Sequence, residues 1–111
     1  MTLEEVAKLL EARFFCGEDK DTTTINSVYA GDLMSDLLAN AHSHDVLITG
    51  LVNPQVVRTA EMVDLAAIVF VNGKEPSVDM VAMATQKGIP MLCTAKPMLE
   101  SCALMFSYGG R

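Results

Sequence analysis

The chain has 111 residues, which is room for one domain. Half of it is hydrophobic but only 5% is aromatic, so Val, Ile, Leu, Met and Ala must build the core, and a domain of this size buries roughly 65% of its unfolded surface. A formal net charge of -6 argues against a basic groove for nucleic acid and against a polybasic membrane anchor.

Thr2-Leu3-Glu4-Glu5 is a capping-box pattern. Leu3, Val6, Ala7, Leu9 and Leu10 follow as one apolar stripe, which predicts a helix to about Ala12. Phe14-Phe15-Cys16 reads as a short strand closed by Gly17, and 18–24 as a polar loop. Residues 25–29 form the next predicted strand. Gly31-Asp32 turns the chain into a helix over 32–41, with Asp32 as its N-cap. Gly31 permits a close backbone approach or a positive φ.

From there strands and helices alternate. Residues 46–49 are an apolar strand, and Pro54 suits the first turn of a helix carrying Val56, Val57, Ala60, Met62 and Val63. The β-branched run 66–71 is expected as a central buried strand. After the Asn72-Gly73 turn, Ser77 caps a helix with Val78, Val81, Ala82 and Thr85 inward, stopped by Gly88. Residues 91–94 are the last strand. Pro97 opens a final helix through Leu99, Cys102, Ala103 and Phe106, with Cys102 on its inner face, and Gly109-Gly110-Arg111 reads as a frayed tail. This order predicts an α/β fold: a single-domain sandwich spanning 1–111, with a mainly parallel sheet of about five strands flanked by helices.

The longest apolar run, 65–71, is far below the roughly 20 residues that span a bilayer, and Met1-Thr2-Leu3-Glu4-Glu5 has neither the basic nor the apolar region of a secretory signal. Three cysteines, Cys16, Cys93 and Cys102, lack C-x-x-C spacing. Their odd number disfavours a disulfide framework or zinc ribbon, and free thiols suit a cytoplasmic location.

Val28-Tyr29-Ala30 followed by Gly31-Asp32-Leu33-Met34-Ser35-Asp36-Leu37-Leu38-Ala39-Asn40-Ala41 resembles the signature of the DRTGG domain. That small α/β module occurs alone, or fused to CBS domains in family II pyrophosphatases, or in phosphotransacetylase-like proteins. It is similar to the N-terminal domain of HPr kinase/phosphorylase. The similarity extends along nearly the whole chain, through Val71-Asn72-Gly73-Lys74-Glu75-Pro76 and Gly88-Ile89-Pro90. The run that names the family, Asp-Arg-Thr-Gly-Gly, has no counterpart: Asp21-Thr22-Thr23-Thr24 lacks the Arg and the Gly pair. The resemblance implies an α/β sandwich, subunit pairing as a homodimer, and a regulatory rather than catalytic role. It also implies an alternative, an accessory subunit or phospho-relay component linked to a redox (hydrogenase) enzyme or an HPr-kinase-type system.

Kinase activity requires a loop that cradles phosphates with a Lys beside it, and neither G-x-x-x-x-G-K-[ST] nor G-x-G-x-x-G occurs. Open parallel sheets place ligands beyond the carboxyl ends of their strands. The residues there are Gly31, Asp32, Ser35, Thr49, Asn53, Asn72 and Thr94. Together they form a candidate site for a small anionic metabolite or nucleotide. The competing reading is structural, since Asp32, Asn53 and Ser77 are all good helix caps. With no Lys or Arg inside the motif, the Gly31-Asp32 turn needs donors from Thr49, Asn53 and Thr94 to hold an anion. His42 and His44 are too few for a metal site, which needs about four ligands. Cys93 and Cys102 read as small core residues, and no cofactor is implied. The eight methionines are either core filler or, on the last two helices, a face for a second subunit.

Overall fold

Thr2 opens the first helix as its sequence predicts: its hydroxyl accepts from the Glu5 N–H while the Glu5 carboxylate accepts from the Thr2 N–H at 2.7 Å. In the computed structural model, which describes residues 1–107, that helix is α1 (Leu3–Leu10). It is followed by β1 (Arg13–Cys16), β2 (Val28–Ala30), α2 (Met34–Asn40), β3 (Val46–Thr49), α3 (Pro54–Val63), β4 (Ala67–Phe70), α4 (Val78–Lys87), β5 (Met91–Cys93) and α5 (Met98–Ser107). The tail expected over 109–111 lies outside the described residues.

The sheet order is β1-β5-β4-β3-β2. Strands β2 to β5 are parallel, and β1 joins β5 antiparallel at one edge. The parallel strands step in one direction, so their crossover helices fall on one face. Accordingly α2, α3 and α4 cover Leu47, Ile68, Phe70 and Met91 through Leu37, Val56, Ala60 and Met80. The opposite face, with Val46, Ile48, Val69 and Leu92, is closed by α1 and α5 through Leu3, Val6, Leu10 and Met105. Strand side chains alternate between these two layers with period two. Because the strand order never reverses from β2 to β5, the parallel strands open no crevice of the kind that marks a reversal.

Several expected details differ. The predicted strand over 25–29 begins only at Val28, because the Ile25 N–H is bonded to Met1 O and the Asn26 N–H to His44 O. Helix α4 turns Met80 and Ala84 inward, while Val78 is 85% exposed. Helix α5 buries Ser101 and Met105 and leaves Leu99 82% and Phe106 69% exposed. Cys102, expected on the inner face, is half-buried, and Leu99, Ala103 and Phe106 point outward. Met80, Met91 and Met105 are core residues and half-buried Met83 and Met98 pack against the core, so the methionines of α4 and α5 act mainly as core filler.

Candidate functional site

Strand β3 ends on Thr49, which is fully buried. Its hydroxyl donates to Asp32 Oδ1 at 2.9 Å, and the Gly50 N–H donates to the same oxygen at 2.8 Å. Thr49 Oγ1 also accepts from the Leu51 N–H at 3.1 Å. One carboxylate thus ties the end of β2 to the end of β3.

Asp32 is therefore not the cap of α2. The cap position is Leu33, with no side-chain hydrogen bond, and the helix starts at Met34. Tertiary donors from β3 won over the local helix terminus because a carboxylate gains most from two well-aligned donors at once. Gly31 is not at positive φ; its N–H bonds to Ile48 O at 3.0 Å and continues the strand pairing.

Lys74, beyond β4, donates to the Gly50 carbonyl at 3.0 Å. A Cβ on Gly50 would lie 3.7 Å from Lys74 Nζ and 3.8 Å from both Asp32 oxygens. Asp32, Thr49, Gly50 and Lys74 are thus one cluster. Gly50 and Lys74 are the members absent from the predicted set. The signal for Lys74 was its place just after the Asn72-Gly73 turn, which reverses the chain with φ of 62° and 69°.

The other predicted residues serve separate roles. Asn53 caps α3, its Oδ1 accepting from the Gln55 N–H at 2.8 Å, as its sequence position predicts. Ser35 is exposed on α2. The Asn72 N–H bonds to Lys96 O and the Gly73 N–H to Thr94 O, each at 2.9 Å. Buried Thr94 faces α1: its hydroxyl donates to Leu10 O at 2.6 Å and accepts from the Lys96 N–H at 3.2 Å. Lys96 pairs with Glu11 at 3.0 Å and Glu100 at 3.5 Å, and the hydrogen bond to Glu11 raises its pKa above the ordinary lysine value.

At the opposite end of the sheet, the His42 N–H bonds to Asp45 Oδ2 at 2.8 Å, and Ser43 donates to Asp64 Oδ2 at 2.9 Å. The first contact closes the loop before β3 on itself, and the second latches it to the loop before β4. Among the described residues, no three His, Cys, Asp or Glu side chains come together as a metal site, and no helix is long and apolar enough to cross a membrane. Burial pushes the Cys93 thiol up to about 11, with Glu75 adding to the shift and Arg13 opposing it. Burial also raises Cys102. Neither is poised as a nucleophile, which requires a lowered pKa.

The model of the DRTGG domain family matches residues 5–106. No curated protein matches the chain. Among solved structures, similarity extends to the regulatory region of a Clostridium perfringens pyrophosphatase, comprising CBS and DRTGG domains and complexed with its activator, diadenosine tetraphosphate. The TM-score is 0.78 at 15% identity, over 94% of this chain and 45% of that one. At that identity the likeness is one of fold, and this chain spans less than half of that relative.

Proposed function

We propose that this chain, which belongs to the DRTGG domain family, is a non-enzymatic regulatory module that works as a homodimer and answers to a small anionic metabolite or nucleotide. The observation that carries the ligand reading is the Asp32 carboxylate on the Thr49 hydroxyl and the Gly50 N–H. Those two donors form an anion position, and the chain fills it with its own exposed carboxylate. Lys74, held on the Gly50 carbonyl, supplies the positive charge beside it.

An incoming carboxylate or phosphate group competes with Asp32 for the same donors. Displacing Asp32 releases the turn between β2 and α2 from the end of β3. Ligand binding then becomes a change in how one edge of the sheet is held, which is what a regulatory module needs. The nucleotide activator of the pyrophosphatase relative supports a phosphorylated compound as the ligand.

The test is a thermal-shift screen with nucleotides and phosphorylated metabolites, run on the native chain and on Asp32→Ala. A ligand at 100 times its Kd adds about 2.7 kcal/mol of stability. The variant, lacking the internal competitor, is expected to bind the same compound more tightly. No shift with any compound in either form overturns the ligand reading.

A further inference from the structure

We propose that the outward face of α5 is where two copies of this chain pair, in an antiparallel arrangement across a two-fold axis. The proposal rests on the homodimer reading above and gives it a location.

Helix α5 is apolar nearly all round. Met98, Leu104 and Met105 pack inward, and Leu99, Ala103 and Phe106 point out beside half-buried Cys102. A helix apolar on every side belongs in an interior, and one side of this helix has none. Elsewhere Val78 and Met62 are exposed singly on α4 and α3, and Leu33 and Leu38 lie five residues apart at the cap and in the body of α2, off the i, i+3, i+4 spacing of one helix face. On α5 the exposed positions 99, 103 and 106 and half-buried 102 follow the i, i+3, i+4, i+7 spacing of one face.

The size pattern of that face argues for a second copy as the occupant. Leu99 and Phe106 are large, and Cys102 and Ala103 between them are small. Reversing the helix gives the same large, small, small, large sequence. A two-fold contact requires this self-complementarity, because residue i must meet j while j meets i. The partner's Leu99 then lies against Phe106, and the partner's Phe106 against Leu99. Leu99 and Phe106 are about 10.5 Å apart along the axis at 1.5 Å per residue, and the small pair lets the two helices approach at the crossing.

Beside this face lies a cleft of about 130 Å³ lined by Val28, Ala30, Cys102, Met105 and Phe106. It gives the partner's large side chain a place to enter, as the anchors of protein interfaces do. Charge does not oppose the contact locally: Glu100 is the single charged residue of α5, and Lys96 pairs with it at 3.5 Å. A standard interface buries about 800 Å² per partner. A single ten-residue helix contributes less, so the dimer is expected to dissociate in the micromolar range.

Sedimentation velocity of the full chain from about 1 to 100 μM, a range bracketing such an affinity, tests this. The native chain is compared with Leu99→Ser and Phe106→Ser, with circular dichroism confirming the fold of each variant. Both side chains are largely exposed, so the fold is expected to survive. Weakening of the dimer by tenfold or more with an unchanged spectrum supports the proposal. A dimer untouched by both substitutions overturns the α5 location and leaves the homodimer reading standing. A native chain that stays monomeric throughout overturns both. Faster iodoacetamide labelling of Cys102 in Phe106→Ser than in the concentrated native chain supports the proposal by a second route, and equal rates count against it.

Discussion

The carboxylate of Asp32 accepts a hydrogen bond of 2.9 Å from the hydroxyl of Thr49, joining the second residue after an edge strand to the last residue of its inner neighbour. Thr49 is fully buried and also serves the Leu51 N–H. Thr49→Val keeps the shape and removes both roles, so we expect a loss of about 1–2 kcal/mol in urea unfolding. Asp32→Asn retains an acceptor oxygen and should cost less. Equal stability of Thr49→Val and the native chain would refute the tie between β2 and β3.

Thr94 is expected to matter more for stability than Asp32. Its buried hydroxyl satisfies the carbonyl of Leu10 at the end of α1 and accepts from the N–H of Lys96. Thr94→Val strands both groups, and unfolding by urea should report a loss of about 1–3 kcal/mol. Ligand responses assigned to the Asp32 cluster should be unchanged in this variant, because Thr94 faces α1.

Gly17→Ala is predicted to be strongly destabilising. Gly17 has φ of +78°, and an added Cβ would lie 2.6 Å from the Pro90 backbone. The left-handed conformation alone costs about 1–2 kcal/mol in a non-glycine residue, and forced overpacking typically adds about 1–3 kcal/mol. Gly50→Ala, with φ outside that region and only ordinary contacts near its Cβ position, should be well tolerated. Thermal melts of the two variants side by side decide the point.

Cysteine chemistry should separate by burial. With its pKa pushed up to about 11, Cys93 has roughly one thiolate in a thousand at pH 8. It should resist iodoacetamide until the chain unfolds, which mass spectrometry of labelled peptides can check. The folded thiol holds its proton more tightly than the unfolded one, at 9.0. Its contribution to stability is thus complete below pH 9 and lost as pH rises from 9.0 towards 11. A Cys93→Ala chain should show a shallower decline in stability over that window.

Salt should strengthen the dimer. Each copy carries a formal charge of -6, so two copies repel at long range while the α5 contact itself is apolar. Raising ionic strength from about 0.01 to 0.15 M shortens the screening length from about 30 to 8 Å. Sedimentation should then show tighter association at the higher salt. Weaker association would point to an interface built on ion pairs.

Much of the fold could be read from the chain because its signals are local. The capping box at Thr2 and Glu5, Asn53 before Pro54, Ser77, and the stop at Gly88 each act within a few residues, and each is found where the spacing puts it. The α/β order and the central strand at 67–70 follow from the same short-range patterns. The candidate site was legible only in part. Asp32 and Thr49 do meet, but Gly31 continues the strand pairing through Ile48, Thr94 turns to the other layer, and Gly50 and Lys74 enter from loops 18 and 42 residues after Asp32.

Which partner a group chooses is a matter of long-range competition. Asp32 could satisfy a helix terminus close at hand, and its sequence position points there. Only the parallel pairing of β2 with β3 brings the Thr49 hydroxyl and the Gly50 N–H within 2.9 Å, where two aligned donors outweigh the local cap. The same holds for α5. Its composition determines that it is a helix, but it is apolar on both sides, so periodicity cannot choose its inward face. Packing against α1 and the sheet decides that Ser101 and Met105 go in and that Leu99 and Phe106 stay out.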